Sequence, residues 1–250
     1  MKIGVKTFDS EEFLKYFEDK ADFFEVQAIQ STPESFYSSL KQFSIPLVVH
    51  SEHYEFGINP ADSSRYNINL KSINFARKLA DSVKAEKIII HPGAIETGNK
   101  NCSLENAVAF IKNLDDERLL VENLPGREEG LTVFSLCNTS GETKQFLELT
   151  GAGFCFDVNH AILSESIIDN SNYQFLEKYI HLKPKHYHIG GQRFGELFAH
   201  LCLADSDLDL GKILKYYPDN AEIILETEVN IQKVQDDVNI IRKAIKSLGK

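Results

Sequence analysis

The sequence lacks several features that would assign it to a particular class of protein. It contains no tryptophan, and its 27 basic residues are outnumbered by 37 acidic residues, which gives a formal net charge of −10. That balance provides no overall attraction for the phosphate backbone of nucleic acids. No apolar run approaches the roughly 20 residues that span a bilayer, and no signal peptide precedes the strand-like segment that begins at Lys2. We therefore expect a cytoplasmic protein that does not enter a membrane.

Cysteine is scarce and widely spaced. The chain has four cysteines and no CxxC pair. In a chain without a secretion signal they are most simply reduced thiols, which excludes a disulfide-stabilised fold and a cysteine zinc site. Cys155 lies between two phenylalanines in an apolar run, so we interpret it as a buried structural thiol.

The sequence does contain a regular alternation of short apolar runs with helical patterns. Several runs are apolar on both faces, as expected for parallel strands that are covered on both sides. The eight predicted strands are Lys2–Thr7, Phe23–Ala28, Pro46–Ser51, Lys87–Pro92, Arg118–Leu124, Gly153–His160, His186–Gly191 and Glu222–Glu228. Their spacing predicts a single α/β domain over residues 1–250, a (β/α)8 TIM barrel. An open doubly wound sheet is disfavoured because no glycine-rich loop follows the first strand.

Six consecutive predicted strands end on or beside a carboxylate or an imidazole. These residues are His50, His91, Glu122, Asp157, His188 and Glu226. A single one would most simply be structural: Asp157 could cap the next helix, and we interpret His53, His181 and His186 in this way. In a closed barrel, however, the six converge at the carboxyl ends of the strands. Unpaired buried carboxylates are costly, so the set predicts a bound divalent cation.

The donor types narrow the choice of metal. Imidazole and carboxylate ligands without thiolate suit Zn²⁺, Mn²⁺, Co²⁺ or Fe²⁺ better than Mg²⁺ or Ca²⁺. We expect one to three ions, with zinc or manganese favoured.

The order of these residues resembles the xylose isomerase-like TIM-barrel superfamily, which includes sugar isomerases and epimerases and the family-2 AP endonucleases (endonuclease IV). The resemblance extends from the third to the eighth predicted strand. It rests on His50 followed by Ile58-Asn59, on His91-Pro92-Gly93, Glu122-Asn123, Asp157-x-x-His160, His188, His200 and Leu225-Glu226.

The resemblance implies specific roles. Glu122, Asp157, His188 and Glu226 match the four metal ligands of ketose 3-epimerases, in which the two glutamates also form the acid/base pair. In the endonuclease pattern the same four hold one zinc ion. A second zinc ion is then held by His50, His91 and Glu122, and His160 and His200 belong to a third.

The sequence departs from the pattern of these families at three points. The glycines that commonly follow the histidine of the loop between the seventh and eighth strands are replaced by Ala204-Asp205-Ser206-Asp207. An aspartate expected two residues before His200 is replaced by Phe198, which puts the third metal position in doubt unless Glu196 or Asp205 substitutes. The acidic residue that often follows the histidine of the seventh strand is replaced by Gly190-Gly191.

Loop charge favours a small substrate over DNA. The five loops expected at the active face, residues 51–66, 93–103, 124–142, 161–172 and 189–210, carry 13 acidic and 4 basic residues. DNA binding depends instead on Lys and Arg contacts with phosphates. We therefore favour a metal-dependent sugar or sugar-phosphate isomerase or epimerase that uses Glu122 and Glu226 for proton transfer. A zinc phosphodiesterase acting on abasic-site DNA is the alternative, and a metal-binding barrel without turnover is a third hypothesis.

Arg193 and Arg127 are candidates for binding a substrate phosphate or carboxylate, unless each pairs with a neighbouring glutamate.

Overall fold

The computed structural model describes residues 1–126, 133–165, 173–197 and 199–250. Its strands are β1 (Lys2–Thr7), β2 (Phe23–Ala28), β3 (Leu47–Ser51), β4 (Ile88–Ile90), β5 (Ala94–Glu96), β6 (Leu119–Glu122), β7 (Val133–Ser135), β8 (Gly153–Asp157), β9 (His186–Ile189) and β10 (Glu222–Leu225). Its α-helices are α1 (Glu11–Phe17), α2 (Glu34–Ser39), α3 (Tyr66–Val83), α4 (Leu104–Leu114), α5 (Ser140–Thr150), α6 (Val158–Glu165), α7 (Leu176–Ile180), α8 (Leu210–Leu214) and α9 (Ile231–Ser247).

Eight of the strands close into a parallel barrel in the order β1-β10-β9-β8-β6-β4-β3-β2. This confirms the predicted TIM barrel, and each of its strands falls within a predicted one. The main difference is at β8, which ends at Asp157 because the chain turns directly into α6. His160 was predicted at the end of a strand and instead lies in the first turn of that helix.

Helix starts follow local capping chemistry. The side chains of Ser10, Ser103, Thr139 and Asn230 each accept a hydrogen bond from a backbone N–H in the first turn of α1, α4, α5 and α9. Such caps satisfy donors that have no partner within the helix. No helix in the described ranges is long and apolar enough to cross a membrane.

Alternation along the strands divides the apolar residues into two cores. One set of side chains packs between the strands and the helices, and it includes Val49, Val121 and Phe156. The other set is a separate cluster inside the barrel. Its members are Phe23, Val48, Ile89, Leu120, Cys155 and Ile224. Successive side chains of a strand point to opposite faces, so the next inward position on each strand lies two residues further along.

A small antiparallel ribbon stands outside the barrel. It pairs β5 with β7, and the backbone N–H of Leu136 donates to the carbonyl of Gly93. Both segments follow the carboxyl ends of barrel strands, so the ribbon lies at the mouth where those ends meet.

Candidate metal centre

Immediately above the inner apolar cluster, each barrel strand, or the residue directly after it, presents a polar or charged side chain. We call this set the polar ring. It consists of Lys6, Glu25, His50, His91, Glu122, Asp157, His188 and Glu226. Each lies two residues beyond an inward-facing residue of the same strand, as alternation requires. Six of the eight belong to the predicted set, and the structure brings those six to the same end of the barrel.

Four of these residues form a compact cluster. Ligand atoms of Glu122, Asp157, His188 and Glu226 all lie within 4.8 Å of one another. His188 Nδ1 is 3.3 Å from Glu122 Oε1 and 2.7 Å from Glu226 Oε2. Within the described part of the chain, the buried oxygen Asp157 Oδ2 has no hydrogen-bond partner. His188 Nδ1 and Glu226 Oε2 face each other, so an imidazole and three carboxylates converge on one small volume. Buried polar atoms are rarely left unpaired, and buried carboxylates in such proximity are costly without a cation, so the donor set fits a divalent ion.

A second group shares Glu122 with the first. The Nε2 atoms of His50 and His91 lie 3.2 Å and 3.3 Å from the same carboxylate oxygen, Glu122 Oε2. The ligand atoms of the three residues lie within 4.8 Å of one another.

A third group shares Asp157 with the first. Asp157 Oδ1 accepts a 2.7 Å hydrogen bond from the backbone N–H of His160, so Asp157 caps α6 with one oxygen and leaves the other for the cluster. His160 Nδ1 faces the carbonyl oxygen of Asn123 at 2.8 Å, and its Nε2 lies 3.2 Å from Nε2 of His200. His200 has a left-handed backbone conformation with φ 64°. Asp157, His160 and His200 thus form a further set of potential ligands.

Glu196 and Asp205 were the possible replacements for the aspartate that is missing from this third group. Glu196 and Asp205 are both exposed, and Glu196 lies 3.9 Å from Arg193. Phe198 is outside the described residues.

Two members of the polar ring, Lys6 and Glu25, were not singled out in the sequence. Lys6 Nζ lies 2.7 Å from Glu226 Oε1 and 3.2 Å from Glu25 Oε1, and both the ammonium and Glu25 are buried. The available signal was a charged residue in the middle of an otherwise apolar predicted strand, in phase with the inward positions.

The histidines interpreted as structural differ in their surroundings. His181 faces a carbonyl oxygen of its own helix, at Glu177. His186 is fully buried, with Nε2 3.0 Å from Glu25 Oε2. His53 instead lines the cavity, and its ring stacks on that of His91 with 4.8 Å between centroids. Burial and the neighbouring histidines lower the pKa of His53 to about 2, so its ring is neutral near pH 7.

The charges of the site keep its glutamates ionised. Burial acts to raise the pKa of Glu122, but His188 and His91 outweigh it and hold that pKa well below 4.5. Burial also acts to raise the pKa of Glu226, and here Lys6 and His188 bring it well below 4.5. Burial raises the pKa of the Cys155 thiol to about 12, in keeping with a structural role.

Above the polar ring lies a cavity of about 320 Å³. Its floor includes Glu122 and Glu226, and its wall includes residues of the β5–β7 ribbon and the exposed rings of Phe8 and Phe56. The structure does not bring Arg193 to this cavity: its guanidinium is exposed and donates to the carbonyl of Asp205. Arg127, the other candidate for substrate binding, lies outside the described residues.

The closed parallel barrel, with its imidazoles and carboxylates at the carboxyl ends of the strands, defines a (β/α)8 protein with a candidate metal centre. Solved structures share this fold. A D-tagatose 3-epimerase-like protein is 18% identical with a TM-score of 0.78, and the match covers 100% of this chain and 98% of that one. Endonuclease IV from Thermus thermophilus is 14% identical with a TM-score of 0.74, covering 99% and 100%.

A further Thermus thermophilus protein, from a crystal soaked with zinc chloride, is 20% identical with a TM-score of 0.71, covering 99% and 98%. These neighbours confirm the predicted fold, and they include an epimerase-like protein and an endonuclease IV. No family model and no curated protein matches the sequence.

Proposed function

We propose that this protein is a divalent-metal-dependent isomerase or epimerase of a sugar or sugar phosphate. The observation that carries the proposal is the cluster of Glu122, Asp157, His188 and Glu226, whose two glutamates line a small cavity and whose buried Asp157 Oδ2 has no hydrogen-bond partner among the described residues. These four residues would hold the ion. When bound, a divalent ion supplies polarisation of carbonyl and hydroxyl oxygens.

Glu122 and Glu226 are suited to moving the substrate proton. Glu122 is buried and Glu226 is partly buried, both line the cavity, and both have a pKa well below 4.5, so each is present as a base at neutral pH. One carboxylate takes the proton from the carbon beside the carbonyl group and becomes a carboxylic acid. In an epimerisation the other glutamate, after taking a proton from solvent, delivers it to the opposite side of the same carbon, and the first glutamate releases its proton to solvent. In an isomerisation the first glutamate returns its own proton to the neighbouring carbon.

The cavity supports a small substrate. Its volume of about 320 Å³ is near the lower end of the roughly 300–1,000 Å³ of small-molecule sites. Among the described lining residues the single Lys or Arg is Lys6, and its ammonium is already paired with Glu25 and Glu226. A polynucleotide would require several cations to contact its phosphates.

The direct test is proton exchange. Metal-loaded protein is incubated in D₂O with a panel of ketoses and aldoses and their phosphates, and loss of the C–H signal beside the carbonyl is followed by NMR. We expect exchange with at least one sugar, and a fall in its rate of about 10²–10⁴-fold in Glu122→Gln and in Glu226→Gln, the range for loss of a general base.

Glu222→Gln is the matched control, because it makes the same change on β10 at the opposite end of the barrel, where Glu222 pairs with Lys2 and Lys87. It should exchange at the wild-type rate. Absence of any transition metal from protein purified without chelator would remove the basis of the proposal. Bound metal without turnover of any sugar or of abasic-site DNA would favour the metal-binding barrel.

A second candidate, a zinc phosphodiesterase for abasic-site DNA, is favoured by one specific observation. The groups His50–His91–Glu122 and Asp157–His160–His200 flank the first cluster and share a ligand with it, as clustered zinc ions would require. Binding of three zinc ions per chain together with incision of abasic-site DNA would support this candidate over the first.

A further inference from the structure

Glu25 is a buried carboxylate that the proposed chemistry does not use. Its side chain has no exposed surface, and it lies on β2 between Phe24 and Val26, which pack in the outer core. A buried charge is tolerated only when it is well paired. Glu25 has three such partners: Nε2 of His186 and Nε2 of His188, both 3.0 Å from Oε2, and the ammonium of Lys6, 3.2 Å from Oε1.

We propose that Glu25, held by Lys6, is a positioning residue that fixes the tautomer and ring orientation of the metal ligand His188. The proposal rests on the metal centre of the proposed function. In this proposal Lys6 and Glu25, which lie beneath the metal centre, orient the Nδ1 atom of His188 toward the ion.

The geometry of His188 carries the argument. A carboxylate only accepts hydrogen bonds, so the ring nitrogen that faces Glu25 must carry the proton. A histidine that binds an ion is neutral and has a single N–H, so with Nε2 protonated it is Nδ1 that offers its lone pair. Nδ1 is the atom that lies 2.7 Å from Glu226 Oε2 and 3.3 Å from Glu122 Oε1, where an ion shared with these carboxylates would sit. Ligand histidines are commonly held through the second nitrogen by a carboxylate, which also increases their basicity.

Lys6 also restrains a second proposed ligand, Glu226. Its ammonium contacts Glu226 Oε1 at 2.7 Å, while Oε2 of the same carboxylate faces His188 Nδ1. The Lys6–Glu25 pair therefore restrains two of the four proposed ligands from below.

The ligand atoms of Glu25, His186 and His188 are close enough together to hold an ion themselves. The ammonium of Lys6 argues against this, because it lies 3.2 Å from Glu25 and would repel a cation placed there. It favours a hydrogen-bonded layer beneath the metal centre.

The test compares zinc affinity and the protonation pattern of His188. Zinc affinity is measured by competition with a chromophoric chelator. The proton position is read from long-range ¹H–¹⁵N correlation spectra of zinc-loaded protein labelled with ¹⁵N-histidine. In the wild type we expect His188 to carry its proton on Nε2 and zinc on Nδ1. In Glu25→Gln we expect zinc affinity to fall about 10–100-fold, the usual cost of removing such a partner, together with loss of the protected Nε2 proton signal.

Two variants keep the result interpretable. Glu222→Gln breaks an ion pair at the other end of the barrel and should leave zinc affinity unchanged. If Glu25→Gln does not fold, the double variant Lys6→Met/Glu25→Gln removes both buried charges together, and the same loss of affinity is expected.

The outcomes separate the two proposals. Wild-type zinc affinity and an intact Nε2 proton in a folded Glu25 variant would overturn the role of Glu25 and leave the metal centre standing. Failure of the wild-type protein to bind zinc, manganese, cobalt or iron would overturn both.

Discussion

At the scale of single residues, His188 links metal binding to pH. Burial acts to lower its pKa, but the carboxylates of Glu25, Glu122 and Glu226 outweigh it and raise that pKa well above 6.5. The raised pKa favours the protonated imidazole in the metal-free protein, and a proton on Nδ1 must leave before that atom can bind an ion.

We accordingly expect metal affinity to increase as the pH rises from 6 to 8, and binding to release protons. Calorimetric titration in two buffers of different ionisation enthalpy measures the number released. A binding enthalpy that is the same in both buffers, or an affinity that does not change with pH, would contradict this account.

At the scale of secondary-structure elements, the end of β9 explains one departure from the endonuclease pattern. Gly190 replaces the expected acidic residue because there is no room for a side chain. A Cβ atom on Gly190 would lie 2.5 Å from the carbonyl oxygen of Glu226 and 2.7 Å from the Cα of His200. Two strand ends and the following loop meet at this point.

Gly190→Ala is therefore expected to destabilise the metal-free protein by about 1–3 kcal/mol, the typical cost of overpacking. Urea unfolding measures this as a lower midpoint with an unchanged slope. Gly141→Ala is the control, because Gly141 lies in α5 with nothing within 4 Å of an added Cβ. It should gain about 0.4–1 kcal/mol. Equal midpoints for the two variants would show that the close approach at Gly190 is not a constraint.

The elements also show what the sequence could and could not predict. The eight barrel strands were predictable because their apolar runs are buried on both faces. Their ends were predicted too long, since polar residues such as His160 already belong to the following turn or helix. The β5–β7 ribbon was not predicted, because three-residue strands inside loops have no periodicity to detect.

The residues of the candidate site also fall into those that the sequence predicts and those that it does not. His50, His91 and Glu122 were predictable because each stands at a strand end, where barrel chemistry is expected. Lys6 and Glu25 were not, because a charge inside a short strand is compatible with either face until the barrel closes. The mutual distances of the ring residues depend on strands that are far apart in the chain, and no local pattern encodes them.

At the scale of the whole molecule, charge bears on the proposed substrate. The formal net charge is −10, and the five segments expected at the active face (51–66, 93–103, 124–142, 161–172 and 189–210) carry 13 acidic and 4 basic residues. Charges act over about 8 Å at physiological ionic strength, so we expect this acidic excess to disfavour a long duplex.

We expect incision of an abasic-site duplex to be weak at about 0.15 M salt, and slower than sugar proton exchange under the same conditions. A gel assay with a fluorescent duplex measures this. Robust cleavage at that salt concentration would reverse our ranking of the two activities.

The proposed metal ligands and the entrance to the cavity lie in different parts of the fold. Of the four residues in the main cluster, three lie in barrel strands and Glu226 directly follows one, whereas Phe8, Phe56 and the ribbon at the entrance belong to connecting segments. Exchanging those segments with the corresponding ones of another barrel should change which molecule is admitted without dismantling the metal-holding framework. In such a scaffold, changes in the loops alter substrate selectivity while the proposed metal-binding residues stay in place.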